Sequence, residues 1–148
     1  MTNGLAAANS FYLSFVQHEP GPLCTTLQDK PFTANLEEVL KYYQKTYDYG
    51  TAVAAVTTSG IVSAYASAAT NLMNMGSRLK KSMAKAPTVA IYDHNSGAVN
   101  SVLDWSTAHR TISAVLAPST ESPFYGLTTS GLTVGGGAWL HYTADTGW

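Results

Sequence analysis

The sequence predicts a mainly β fold, an antiparallel, jelly-roll-like β-sandwich preceded by an N-terminal arm and one short amphipathic helix. Three observations predict it. Beyond residue 50, short runs rich in Val, Ile, Thr and aromatics alternate with turn-forming clusters such as "HNSG", "APSTESP" and "GGG". Only one stretch, "NLEEVLKYYQKT" at 35–46, repeats its apolar residues with helical spacing. The chain is 45% hydrophobic and only 11% charged. Its surface must therefore be Ser, Thr, Asn and Gly, or be covered by another chain.

Residues 1–33 read as an arm. "NSFYLSFV" alternates in part, and the Pro-Gly-Pro at 20–22 breaks regular structure. Its aromatics Phe11, Tyr12 and Phe15 are the candidates for gripping a neighbouring chain. The segment 34–49 carries the helix. Asn35 is the expected N-cap, with Glu38 three residues on as capping-box partner. Glu37 and Glu38 would lie in the first turn and Lys45 in the last, which suits the helix dipole, and Gly50 is the expected stop. Leu36, Val39, Leu40, Tyr43 and Tyr47 share one face and are the expected oligomer interface; Tyr42 falls off it.

Residues 50–148 are the expected sandwich. "IVSAYAS" alternates, and "PTVAIYD" is a clear strand that Pro87 opens. "AVNSVLDW", "RTISAVLA", "LTTSGLTV" and "AWLHYTAD" follow at short intervals. There is no internal repeat.

Charge and cysteine usage exclude several classes. A formal net charge of -1 gives no basic stripe for nucleic acid, and Arg78, Lys80, Lys81 and Lys85 would alternate between faces if they formed a strand. The same near-neutrality gives little electrostatic protection against association. A single cysteine, Cys24, allows neither an internal disulfide nor a cysteine-based metal site. "GLAAANSFYLSFV" is too short to span a membrane and has no basic flank, so a soluble chain outside the usual secretory route is expected.

No catalytic pattern emerges. His18, His94, His109 and His141 lack the local spacing of a metal motif, no Gly-x-Ser-x-Gly occurs, and the carboxylates offer no obvious acid pair. "GGG" at 135–137 precedes a strand, so it cannot cradle a phosphate at a helix start. The expectation is a non-enzymatic protein with no cofactor and no metal. Binding is the better prospect. Aromatics beside Ser, Thr and Asn can stack on sugar rings and bond hydroxyls, and the candidates are Tyr92, His94 and Asn95 at one turn, Trp105 and His109 near another, and Tyr125 at a third.

Four runs in order, "QHEPGPLCTTLQDKPF", "LEEVLKYYQKTY", "MAKAPTVAIYDHNSG" and "HYTAD", resemble the C-terminal domain of tailed-bacteriophage tail fibres and related virion structural proteins. The resemblance spans residues 17–145 and departs from the family at Lys41, at Ala84 and at the terminal Thr146-Gly147-Trp148. It implies a homotrimer within a virion, assembled in the host cytoplasm, whose partners are copies of itself and other virion proteins. The function it implies is a fibre tip that contacts host-surface carbohydrate. The alternative is a capsid decoration or head-fibre protein that clasps the capsid through its arm. Neither involves nucleic acid or membrane insertion.

Overall fold

The computed structural model describes residues 31–74 and 77–147. Its elements run α1 (Phe32–Val39), β1 (Tyr43–Lys45), β2 (Val62–Ala68), β3 (Asn71–Asn74), β4 (Thr88–Tyr92), β5 (Ser101–Asp104), β6 (His109–Thr111), β7 (Ala114–Leu116), β8 (Gly126–Thr128) and β9 (Gly137–Asp145). Every pairing is antiparallel, so the mainly β antiparallel class expected from the sequence is the one adopted.

β9 organises the sheet. Residues 141–145 pair with β4, from Thr88 opposite Asp145 to Tyr92 opposite His141, and with β1, from Tyr43 opposite Asp145 to Lys45 opposite Thr143. Residues 137–140 pair instead with β2 and β5. Each flank of β9 is thus one interrupted strand. β1 leaves the sheet at Thr46 and resumes as β2; β4 leaves at Asp93 and resumes as β5. The two excursions, 46–61 and 93–100, leave opposite the same stretch of β9.

The longest strand order is β6-β5-β9-β2-β3-β8-β7. Its two ends are consecutive in sequence, separated only by Ile112 and Ser113. The Ile112 N–H donates to the Asn100 carbonyl at 2.7 Å and the Ser113 N–H to the Thr128 carbonyl at 2.8 Å. The sheet therefore curls until one bent stretch of chain joins both edges, while β6 and β7 each keep a single ladder partner. Ala64, Ala66, Leu72, Val102, Ile112, Leu127, Ala138 and Leu140 fill the interior, with Phe124 edge-on to Tyr142. Alanines on the central strands suit so tight a curl, since larger side chains would overfill it.

The helix is shorter and earlier than the sequence predicts. Pro31 occupies the N-cap position, with no side-chain cap, and Asn35 and Glu38 lie inside the helix. Proline presets φ for a helix start and lacks the N–H that would go unpaired there. Glu37 and Glu38 are therefore not first-turn acids, and Lys45 lies in β1, where its ammonium bonds the Tyr49 and Thr51 carbonyls. Two tertiary interactions outweigh helical periodicity after Val39. Pairing with β9 draws Tyr43–Lys45 into a strand. The buried Gln44 amide donates to the Leu40 carbonyl at 2.8 Å and the Lys81 carbonyl at 2.6 Å, and accepts the Lys80 N–H at 2.7 Å. It so terminates the helix and ties it to the 80–81 loop.

The five residues expected on one helical face are consequently split. No residue of α1 is buried, and Val39 is exposed. Leu36 and Leu40 are half-buried, Tyr43 is half-buried on β1, and Tyr47 is 1% exposed within the excursion. Arg78, Lys80, Lys81 and Lys85 lie in an irregular segment, not a strand. Lys81 pairs with Glu37 at 2.7 Å and Lys80 sits over the Tyr49 ring. Phe11, Tyr12, Phe15 and the arm up to residue 30 lie outside the described residues.

Tyr47→Ala should cost about 3–5 kcal/mol of stability by chemical denaturation, as for other large buried aromatics. Val39→Ala should stay within about 0.5 kcal/mol. Equal losses at both positions would contradict this division.

Candidate functional site

The two excursions meet over the outer face of β9. Tyr47 stacks on the His141 ring with centroids 4.0 Å apart and stands edge-on to Tyr92 at 6.3 Å. The Thr57 N–H donates to the His94 carbonyl at 3.1 Å, joining one excursion to the other. Gly97, at a φ of +73°, backs onto Ala54; a Cβ there would lie 2.2 Å from the Ala54 carbonyl oxygen. Only glycine permits both that backbone conformation and that approach.

His141 is fully buried beneath this junction. Its Nε2 is 3.0 Å from the Thr57 carbonyl and its Nδ1 is 2.8 Å from Thr46 Oγ1. A carbonyl can only accept, so Nε2 carries the hydrogen and Nδ1 accepts from the Thr46 hydroxyl. Thr46 Oγ1 in turn accepts the Tyr142 N–H at 3.1 Å. Burial pushes the His141 pKa down; the Thr57 carbonyl partly offsets this and neighbouring His94 adds to it.

Asp93, also fully buried, fixes the adjacent turn. Its Oδ1 accepts the Asn95 N–H at 2.8 Å and the Ser96 N–H at 3.2 Å, and its Oδ2 meets His109 Nδ1 at 2.5 Å. Burial raises its pKa, but the bonds from His109 and the two amides outweigh that and leave the carboxyl below its ordinary value. With Nδ1 held by Asp93, the half-exposed His109 ring turns its Nε2 edge to the open side. His94 is buried edge-on to Trp139 at 5.9 Å, and its Nδ1 has no hydrogen-bond partner among the described residues.

Asp104 fixes the β5–β6 turn in the same manner. Its Oδ1 accepts the Ser106 hydroxyl at 2.6 Å and the Ala108 N–H at 2.9 Å, and its Oδ2 accepts Arg110 Nε at 2.7 Å. Burial raises this carboxyl too, and again the bonds outweigh it and hold the pKa low. The turn includes Thr107 at a φ of +69°, a left-handed conformation that Asp104's contacts sustain. It carries Trp105, whose N–H donates to the Gly137 carbonyl at 2.8 Å. The Trp105 ring lies against Gly137, where a Cβ would come within 2.8 Å of it. Trp139 is beside it at 6.1 Å, and Trp105 remains 46% exposed. A depression of about 210 Å³ adjoins the indole, lined by Asp104, Ser106, Leu132, Thr133 and Gly136.

Strand register explains the convergence. Ser63, Trp139, Leu103 and His109 form one row across β2, β9, β5 and β6, so their side chains share the outward face. Of the expected ligand-binding residues, His94, Asn95, Trp105 and His109 gather around this row. His94 is nevertheless buried, leaving Asn95, Trp105 and His109 at the surface. Tyr92 is half-buried against Tyr47. Tyr125 is exposed but belongs to a separate groove beside β8. Asp93, Asp104, Trp139 and Gly137, which build the site, are absent from the sequence-derived set. The only local signal was an aspartate two residues before a small polar residue, in Asp93-His94-Asn95 and Asp104-Trp105-Ser106.

Among the described residues, no group of three or more His, Cys, Asp or Glu is placed to hold a metal ion, and no helix is long and apolar enough to cross a membrane. The chain matches no family model, no curated protein and no solved structure.

The depressed His141 pKa sets a pH dependence. Above the unfolded value of about 6.5, His141 is neutral in both states and the fold keeps its full stability. As pH falls through that value the unfolded chain takes up the proton first, so stability falls. Tm should be lower at pH 5.5 than at pH 7.5, and His141→Gln should flatten this part of the profile at lower overall stability. An undiminished slope in the variant would assign the dependence to another group.

Proposed function

We propose that this chain is a non-enzymatic virion structural protein of a tailed bacteriophage, a small homotrimeric fibre-type module that contacts host-surface glycan through the Trp105 face. The observation that carries the glycan contact is Trp105 itself. A large indole is left 46% exposed while the turn beneath it is bonded at every polar position of Asp104. A sugar ring can lay its C–H face on such an indole, and its hydroxyls can reach the Ser106 hydroxyl, Asn95 and the open edge of His109. Because the turn and the His109 ring are already fixed, little conformational freedom is lost on binding. Placement in a virion and trimeric assembly rest on the four ordered runs that resemble tail-fibre domains.

A second reading, capsid decoration or head fibre, draws on α1. Phe32 is 76% and Val39 53% exposed on a helix with no buried residue, which suits a helix that packs against another protein.

Trp105→Ala decides the first reading. Binding to purified host-envelope polysaccharide, followed by tryptophan fluorescence, should weaken at least about tenfold while Tm stays close to that of the parent protein. Unchanged affinity in a folded variant would remove the Trp105 face from the account.

A further inference from the structure

We propose that the groove beside Tyr125 is a second saccharide site, selective for a sugar that bears a carboxylate, such as a hexuronate. This rests on the glycan reading above but uses different residues, from the β7–β8 end of the strand order. The groove has a volume of about 490 Å³, and Arg78, Tyr125, Ser77, Ser119, Ser122 and Glu121 contribute to its walls. That volume lies within the range of small-molecule sites, roughly 300–1,000 Å³.

Its walls are tied together by the backbone. The Leu79 N–H donates to the Glu121 carbonyl at 3.1 Å and the Met83 N–H to the Thr120 carbonyl at 2.7 Å, fixing the Arg78 segment to the 119–122 turn. The Tyr125 N–H donates to the Leu116 carbonyl at 2.9 Å, so the backbone is anchored although the ring is 62% exposed. Ser119 Oγ accepts the Glu121 and Ser122 N–H groups, which leaves its own hydroxyl hydrogen to donate outward. Ala117, also on the groove, has a φ of +46°, a conformation costly for a residue with a Cβ and concentrated at functional sites.

Charge gives the selectivity. Of the two arginines, Arg110 is bound to Asp104, whereas Arg78 has no carboxylate within ion-pair distance among the described residues. A planar guanidinium at the edge of a polar groove matches a carboxylate through two parallel N–H bonds. Tyr125 then supplies the stacking face. Glu121 on the same wall disfavours a doubly charged phosphate and tolerates a single negative charge better.

The test is NMR titration of the full chain with glucuronate, glucose and glucose 6-phosphate, reading amide shifts around 77–78 and 117–125. Glucuronate should bind at least fivefold tighter than glucose or the phosphate, a preference of about 1 kcal/mol. Arg78→Gln should remove that preference, Tyr125→Ala should weaken all binding there, and Trp105→Ala should change neither. Equal binding of glucuronate and glucose, tighter binding of the phosphate, or an unaffected Arg78→Gln variant would overturn the proposal. Loss of polysaccharide binding in Trp105→Ala, together with no glucuronate preference at the groove of the parent protein, would leave the first face standing and this groove refuted. Glucuronate binding that persists when Trp105→Ala has no effect on polysaccharide would do the reverse.

Discussion

The structure depends on one strand with four partners. β9 pairs with β4 and β1 along one half and with β5 and β2 along the other, and eight of its nine residues are buried or half-buried at the interior, the outer layer or both. A strand with ladder partners on both sides satisfies its backbone groups, and side chains must then cover each face. The inner face is covered by the curled sheet. The outer face is covered by the two excursions, which makes His141 the point where both must agree. Its neutral ring accepts from Thr46 at one nitrogen and donates to Thr57 at the other, so it joins both ends of the first excursion, and Thr57 carries the connection on to His94 in the second.

The two buried aspartates show how the surface is made rigid without a larger core. Asp93 gathers two backbone N–H groups of its own turn and His109 from β6, and Asp104 gathers one backbone N–H and the Ser106 hydroxyl of its own turn and Arg110 from β6. A buried carboxylate is tolerated only when so fully bonded. The consequence is that neighbouring β6 residues are clamped from two sides. Trp105 and the open edge of His109 are thereby presented in fixed positions. A surface with few charges can still offer directional groups if its aromatics and hydroxyls are held this firmly.

Much of the strand content was legible because it depends on local pattern. Thr88–Tyr92 and Gly137–Asp145 fall where alternation and β-branched residues place them. The helix was misjudged from Tyr43 onward because its periodicity competes with strand pairing to Asp145 and Thr143, partners a hundred residues away that no local window contains. Residues 46–49 were expected in the helical segment and 50–61 in the sandwich, yet the excursion 46–61 covers His141 and has no ladder of its own. Individual surface groups of the site, Asn95, Trp105 and His109, were visible as aromatic and polar residues near turns. Their framework was not. Asp93 and Asp104 act through chain reversals whose partners sit on β6, and Gly137 matters because Trp105 needs the space where a Cβ would be.

Hydrogen exchange followed residue by residue tests the central claim, that β9 and its two interrupted flanks hold the Trp105 turn fixed. The Trp105 and Ala108 amides, bonded to the Gly137 carbonyl and to Asp104 Oδ1, should exchange as slowly as the β9 amides, close to the rate set by global unfolding. Rapid exchange at Trp105 and Ala108 beside a protected β9 would mean a mobile turn on a stable sheet, and would contradict a preformed binding face.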